Sequence, residues 1–235
     1  MSTNTVQKPR DKHFTTILLA AQEEFATHGL KGARMQAIAD RAGLPKANVH
    51  YYFQNKVSLY LAVLDNIIAT WDDFFNDVSV NDDPATALDT FIREKVRLSF
   101  ENPTASRLFA NEILQGAPYL SDYMSETLRP WVNNRAKVIQ QWIDAGKMTA
   151  TEPVLLIFMI WATTQHYADF QVQVLGILNQ KQYDASLIKQ ISDFTSQTIL
   201  RGCGLEPPNT TQRAINENMD QKPSRDLDRQ PSNGN

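Results

Sequence analysis

The apolar positions of this chain recur at helical spacing almost from end to end, and no stretch alternates long enough to argue for a strand. Ile17, Leu18, Ala21 and Phe25 give one apolar face to a first helix from Phe14 to His28, closed by Gly29. Met35, Ile38, Ala39 and Ala42 stand at i, i+3, i+4 and i+7, which predicts a short second helix. Gly43 stops it, since glycine most readily takes a positive φ just past a helix end. Pro45 sits where a third helix can begin, because its missing N–H is not needed there, and that helix runs to about Phe53. A fourth opens at Lys56 and carries Leu59, Val63, Ile67, Trp71 and Phe74 away from the first three. Further helices are expected at about 84–101, 104–115, 120–146, 152–179 and 185–202, broken by Pro103, Gly116 to Pro118, Gly146 and the polar run Asn179 to Asp184. The expected fold class is all-α.

Two short helices joined by a glycine-containing turn are the sequence form of a helix-turn-helix, whose second helix enters the major groove of DNA, and equally of an ordinary α-hairpin with a polar surface. The outward residues suit the first alternative. Lys46, Asn48, His50 and Tyr51 combine a phosphate-seeking cation, an amide able to pair with adenine, and two aromatic hydrogen-bonding groups, while Val49, Tyr52 and Phe53 face inward. Charge points the same way. The formal net charge is −3, yet residues 1 to 60 hold eight Lys or Arg against four Asp or Glu, leaving fifteen against twenty-two for the remainder. A basic module on an acidic body is expected where only one part approaches a polyphosphate.

Residues 25 to 64, FATHGLKGARMQAIADRAGLPKANVHYYFQNKVSLYLAVL, resemble the N-terminal DNA-binding domain of the TetR family of bacterial transcription regulators. The matching positions are Phe25, Gly29, Gly32, Ile38, Ala39, Ala42, Gly43, Lys46, Tyr51, Phe53, Lys56 and Leu59. The resemblance implies a three-helix DNA-binding domain, phosphate contacts from Tyr51 and Lys56, a homodimer, and an inverted-repeat operator in double-stranded DNA. Two positions depart from the family pattern. Met35 stands where Thr is usual and Pro45 where a Ser cap is usual, and either change removes a capping or phosphate hydrogen bond.

The implied organisation is a flexible basic arm at 1–13 with Lys8, Arg10 and Lys12, the helix-turn-helix domain at 14–60, a ligand-binding and dimerisation domain at 61–205, and a tail at 206–235. The tail holds no aromatic residue and cannot bury enough apolar surface to offset its ordering entropy, so it is expected to be disordered. Cys203 is the single cysteine, which excludes an internal disulfide, and no His or Cys spacing suggests a metal site. The first residues lack a signal-peptide pattern and the longest apolar run, residues 154 to 162, is too short to span a bilayer. A cytoplasmic protein without cofactor or membrane partner is expected.

Chemistry outside the first domain concentrates in residues 155 to 174. On one continuous helix, Phe158, Trp161, Gln165, Asp169 and Val172 share a side and Met159, Tyr167, Phe170 and Val174 the other. A helix apolar on both sides is buried on both, one against its own core and one against a second subunit. The TetR resemblance assigns the dimer to the last two long helices, hence to Met159, Tyr167, Phe170 and Val174. Gln165 and Asp169 beside Trp161 need hydrogen-bond partners, found either in a satisfied core or on a ligand. Trp71, Arg107 and Glu112 are the further candidates for a ligand site. YLAVLDNIIATW, ASRLFANEILQGAP and IFMIWATTQHYADF resemble the Rut-type, uracil-responsive branch of the family. That likeness implies control of pyrimidine metabolism genes and a pyrimidine base as effector, with Trp71 and Trp161 packing on its ring and Gln165 and Asp169 reading its polar edges. The alternatives are a different flat aromatic or amphipathic ligand, and an all-α enzyme using His166 and Asp169 as an acid–base pair. Four histidines, no metal constellation and no phosphate-binding glycine loop speak against catalysis.

Overall fold

The computed structural model describes residues 9–71 and 75–208. The arm at 1–8, Phe74 and the tail from 209 onward lie outside the described residues. Ten α-helices are present among them: α1 (Pro9–Gly32), α2 (Met35–Ala42), α3 (Lys46–Tyr52), α4 (Lys56–Trp71), α5 (Pro84–Glu101), α6 (Pro103–Leu114), α7 (Arg129–Asp144), α8 (Pro153–Asp169), α9 (Gln171–Leu178) and α10 (Ala185–Gly202). None of the described helices is long and apolar enough to cross a membrane.

Local signals account for most helix ends. Gly29 interrupts α1 at φ 64°, and Gly43 closes α2 at φ 65°, where its N–H returns to the carbonyls of Ala39 and Asp40. Asp83, Asn102 and Asp184 cap α5, α6 and α10 by accepting from the N–H groups of Thr86, Ala105 and Leu187. Pro84, Pro103 and Pro153 occupy first turns, where no N–H is required. Pro103 therefore starts α6 rather than merely ending α5.

Three expectations change. α1 begins at Pro9, inside the stretch expected to be a flexible arm. The helix expected over 120–146 is instead a π-helical segment, Tyr123–Leu128, leading into α7, and Pro130 supplies the reason. Having no N–H, it cannot bond back to Glu126, so an α-ladder cannot run unbroken through that turn. The helix expected over 152–179 is two, separated at Phe170 with φ −108° and ψ 30°. No Gly or Pro marks that break. Side-chain ties from α6 flank it: Ser106 donates to Asp169 at 2.6 Å and Arg107 to the Gln171 amide oxygen at 3.2 Å.

The buried apolar residues form two clusters. One joins α1 to α4 with Ala105 and Leu108 of α6 and is centred on Phe25, Leu59 and Leu64. The other joins α5, α7, α8 and α10 around Trp142, Ile92, Ile157 and Leu200. Trp71 and Phe109 pack on the edge of the first, Trp131 and Trp161 on the edge of the second, and the cavity described below lies where these edges meet.

Candidate functional site

The surface of α3 has the polarity expected of a reading helix. Val49 and Phe53 are buried, Lys46, His50 and Tyr51 are exposed, and Asn48 and Tyr52 are half-buried. Phe14 of α1 stacks on Phe53 at 5.3 Å and tilts against Tyr52 at 6.2 Å, fixing α3 from beneath. Tyr51 is held edge-on to Tyr52 at 5.3 Å yet is 74% exposed, so its hydroxyl can reach outward. Neither α2 nor α3 has a side-chain cap, as the residues at Arg34 and Pro45 make no cap hydrogen bond. Both N-terminal turns therefore lack a side-chain cap, and the Asn48 N–H of α3 bonds instead to the Pro45 carbonyl at 2.8 Å.

Lys56 occupies a different environment from its neighbours on this surface. Its ammonium donates to the carbonyls of Lys31 at 3.0 Å and Ala33 at 2.9 Å, fastening the start of α4 to the end of α1. The cation closes a helix C-terminus, where the backbone dipole welcomes positive charge.

A small cavity of about 70 Å³ lies between the two cores. Its walls are aromatic: Trp71 of α4, Phe91 of α5, Phe109 of α6, and Trp131 and Trp161 of α7 and α8. Trp131 and Trp161 stack at 6.0 Å with planes 27° apart, and Phe109 meets the edge of Trp71 at 5.1 Å. The polar groups are Gln165, half-buried on α8, the hydroxyl of Tyr123, and the ammonium of Lys95, 4.8 Å from the centre of the Trp71 ring. A cavity of about 150 Å³ takes one benzene ring, so this one by itself is about half that size. Beyond Trp161 and Gln165 a wider apolar groove of about 1060 Å³ opens between α6, α7 and α8.

Of the six ligand candidates, Trp71, Trp161 and Gln165 meet at the cavity. Arg107 and Asp169 line the groove instead. Burial pushes the Asp169 carboxyl above its usual value, against the Ser106 hydrogen bond and the charges of Arg107, His166 and Lys95. Glu112 is placed away from both spaces. It is buried and accepts from the Tyr60 hydroxyl at 2.8 Å and the Tyr119 N–H at 2.8 Å, joining α4 to the turn after α6. Phe91, Lys95, Phe109, Tyr123 and Trp131 escaped the sequence reading. Lys95 did leave a signal, because it continues the apolar stripe of Leu88, Phe91 and Ile92, where an ordinary surface lysine would not stand.

The residues proposed for a subunit contact divide as well. Met159 and Phe170 are exposed on α8 and at its end, joined by Leu155 on the same helix, Ile177 on α9 and Phe194 on α10. Tyr167 and Val174 are half-buried, and the Tyr167 carbonyl accepts from the Tyr183 hydroxyl at 2.8 Å. Val172, grouped with the pocket side when the helix was taken as continuous, is 90% exposed because the break at Phe170 rotates everything after it. His166 is exposed and stacks on Phe170 at 5.1 Å, while the Asp169 carboxylate is engaged by Ser106. These two side chains make no acid–base pair.

Comparison with known proteins covers both parts of the chain. Residues 17–63 match the family model described as bacterial regulatory proteins, tetR family, and residues 64–206 match that of the YcdC-like protein C-terminal region. The chain belongs to the TetR family. It is 38% identical over 186 residues to the HTH-type transcriptional regulator RutR of Escherichia coli (strain K12), covering 79% of this chain and 88% of RutR. AibR in complex with isovaleryl coenzyme A and operator DNA has the same fold, with a TM-score of 0.61 at 16% identity over 84% of this chain and 100% of AibR. A TetR-like regulator from Rhodococcus sp. RHA1 gives 0.60 at 16% identity, over 83% of this chain and 98% of that one. TetR-family proteins are regulators rather than enzymes: they act as dimers, bind operator DNA and respond to small-molecule effectors.

Proposed function

We propose that this TetR-family regulator senses a pyrimidine base such as uracil in the cavity between Trp71 and Trp161, and that occupancy changes its hold on an inverted-repeat operator controlling pyrimidine metabolism genes. The observation that carries the proposal is the lining: the indoles of Trp71, Trp131 and Trp161 meet with Gln165 at a space that shares Trp161 and Gln165 with the adjoining groove, into which a ring can extend. Indole faces favour a flat ring, and a carboxamide can pair with an adjacent N–H and C=O on it. The likeness of the segments around Trp71, Phe109 and Trp161 to uracil-responsive regulators supports the same ligand class.

In this reading residues 14–60 form the DNA-binding domain and 61–205 the effector and dimer domain. Lys46, Asn48, His50 and Tyr51 face DNA, and Met159 and Phe170 face the second subunit, which would cover apolar surface that α8 leaves exposed. Trp71 stands at the end of α4, whose other end lies beside α3, so a ligand that prefers one position of α4 shifts the reading helices. The open groove beyond Trp161 favours a second reading, a larger apolar effector.

Calorimetric titration with uracil, thymine and adenine, on wild type and on Gln165→Ala, separates these. Saturable pyrimidine binding that the variant loses, with uracil releasing operator DNA in an anisotropy assay, is the expected result. No heat from either pyrimidine, in protein that still binds DNA, would remove the pyrimidine and leave the groove as the place to look.

A further inference from the structure

We propose that the cavity and the groove hold one ligand between them: a pyrimidine carrying a short apolar arm, its ring among the indoles and its arm along the groove between α6, α7 and α8. This rests on the pyrimidine reading above and deepens it by naming what the ring carries. The first observation is size. At about 70 Å³ the cavity is too small to enclose a six-membered ring, so a ring seated there reaches out of it. The second is continuity. Phe109, Leu128, Trp161 and Gln165 line the cavity and the groove alike, so a group that leaves the first enters the second.

The walls of the groove decide the chemistry of the arm. Ile113 of α6 is 38% exposed and Phe158 of α8 is 48% exposed, and both line this space with Val132 of α7. Apolar side chains left half in water gain when an apolar group covers them, whereas a hydroxylated arm would lose hydration against the same surfaces. The polar side chains of the groove are engaged or wet. Arg107 donates to Gln171, Asp169 accepts from Ser106, and Asn111, Arg129 and Asn133 are exposed. Gln165 stands at the junction, where its amide can hold an N–H and C=O edge of the ring while the arm departs past Trp161. Selection for the arm then comes from the groove and selection for the ring from the cavity.

The experiment is calorimetric titration of the full-length protein with uracil, 5-propyluracil and 6-propyluracil. Each buried methylene raises affinity about fourfold, and a groove open on one side buries only part of the arm, so one of the two derivatives should bind at least about tenfold more tightly than uracil. The derivative that gains identifies the ring carbon facing the groove. Ala110→Leu and Ala162→Leu narrow the groove from α6 and from α8, and neither alanine is among the described residues lining the cavity. Each variant should bring that derivative and uracil within about twofold, and the second stands in for the first should Ala110→Leu lack the native helical circular dichroism. Uracil binding with no gain from either arm overturns the shared site, leaving the pyrimidine reading intact and the groove for a second copy of the chain to cover. A gain that persists in both variants overturns it as well. Failure of wild type to bind any of the three compounds removes the pyrimidine reading, and this inference with it.

Discussion

Tyr60→Phe tests how α4 is held to the helix that walls the cavity. The Tyr60 hydroxyl donates to Glu112 Oε2 at 2.8 Å, and the two residues are 3% and 2% exposed. Burial, then the hydrogen bond and charge of Glu112, push the Tyr60 pKa far above its usual value, so the hydroxyl remains a donor at every pH at which the protein would be handled. Phenylalanine preserves the edge-on contacts with Phe25 at 5.0 Å and Tyr119 at 5.5 Å, which confines the change to one oxygen. A hydrogen bond to a charged group contributes about 1.5–3 kcal/mol. Because Glu112 keeps the Tyr119 N–H at 2.8 Å, the expected loss is ~2 kcal/mol, or a thermal midpoint lower by about 4–8 °C for a chain of this size. Urea unfolding followed by circular dichroism measures it, and adding Glu112→Gln completes a double-mutant cycle with an expected coupling of about 1–3 kcal/mol. A Tyr60→Phe protein within ~0.5 kcal/mol of wild type, or two changes that simply add, would refute the reasoning.

Arg93 ties α5 to α10 by bonding Asp89 and Asp193, each at 2.8 Å, while Ser196 also donates to Asp89; Arg93→Met should cost about 3 kcal/mol by leaving a buried carboxylate without its cation. Partial burial raises Asp193, but the hydrogen bonds and charges of Lys189 and Arg93 outweigh it and hold the carboxyl below 3.8. Its stabilisation is thus complete above that pH and disappears as pH falls through the lower folded value, so the Asp193 part of the gap between wild type and variant should narrow in urea melts below about pH 4. Lys46→Ala should reduce the slope of log affinity for operator against log salt by about 0.9 without moving the unfolding midpoint. Lys56→Met should do the reverse, losing about 1–2 kcal/mol of stability with little change in slope, because its ammonium holds the Lys31 and Ala33 carbonyls; a slope lowered by Lys56→Met would mean that it leaves them for phosphate.

The candidate site was legible in the sequence to an uneven degree. Trp71, Trp161 and Gln165 could be nominated because a tryptophan, or an amide beside one, is conspicuous on an otherwise apolar helix. Their company could not be foreseen. Trp131 lies thirty residues before Trp161 on a separate helix, and only the packing of α7 on α8 brings the rings together. Glu112 carried the same polar-in-apolar signal as Gln165, yet its partner is Tyr60, fifty-two residues earlier, and its role is to hold helices together. The face assignments after Phe170 failed for one reason: the wheel assumed a straight helix, and the offset at that residue carries Val172 to the outside.

What the sequence determined by itself is whatever depends on neighbours within a turn or two. Periodicity placed α2 and α5 at the observed bounds, and Gly43 and Asp83 set their ends through a positive φ and a side-chain cap. The exposed Lys46, His50 and Tyr51 of α3 followed from its short amphipathic repeat, though Asn48 is half-buried, and family membership from a run of such local features. Only the tertiary structure decided the break between α8 and α9, the buried tie of Tyr60 to Glu112, and the position of Lys95 over Trp71. These depend on which surfaces meet across the two cores, and side chains far apart in the chain acquire partners and a low-dielectric surrounding only once the helices have packed.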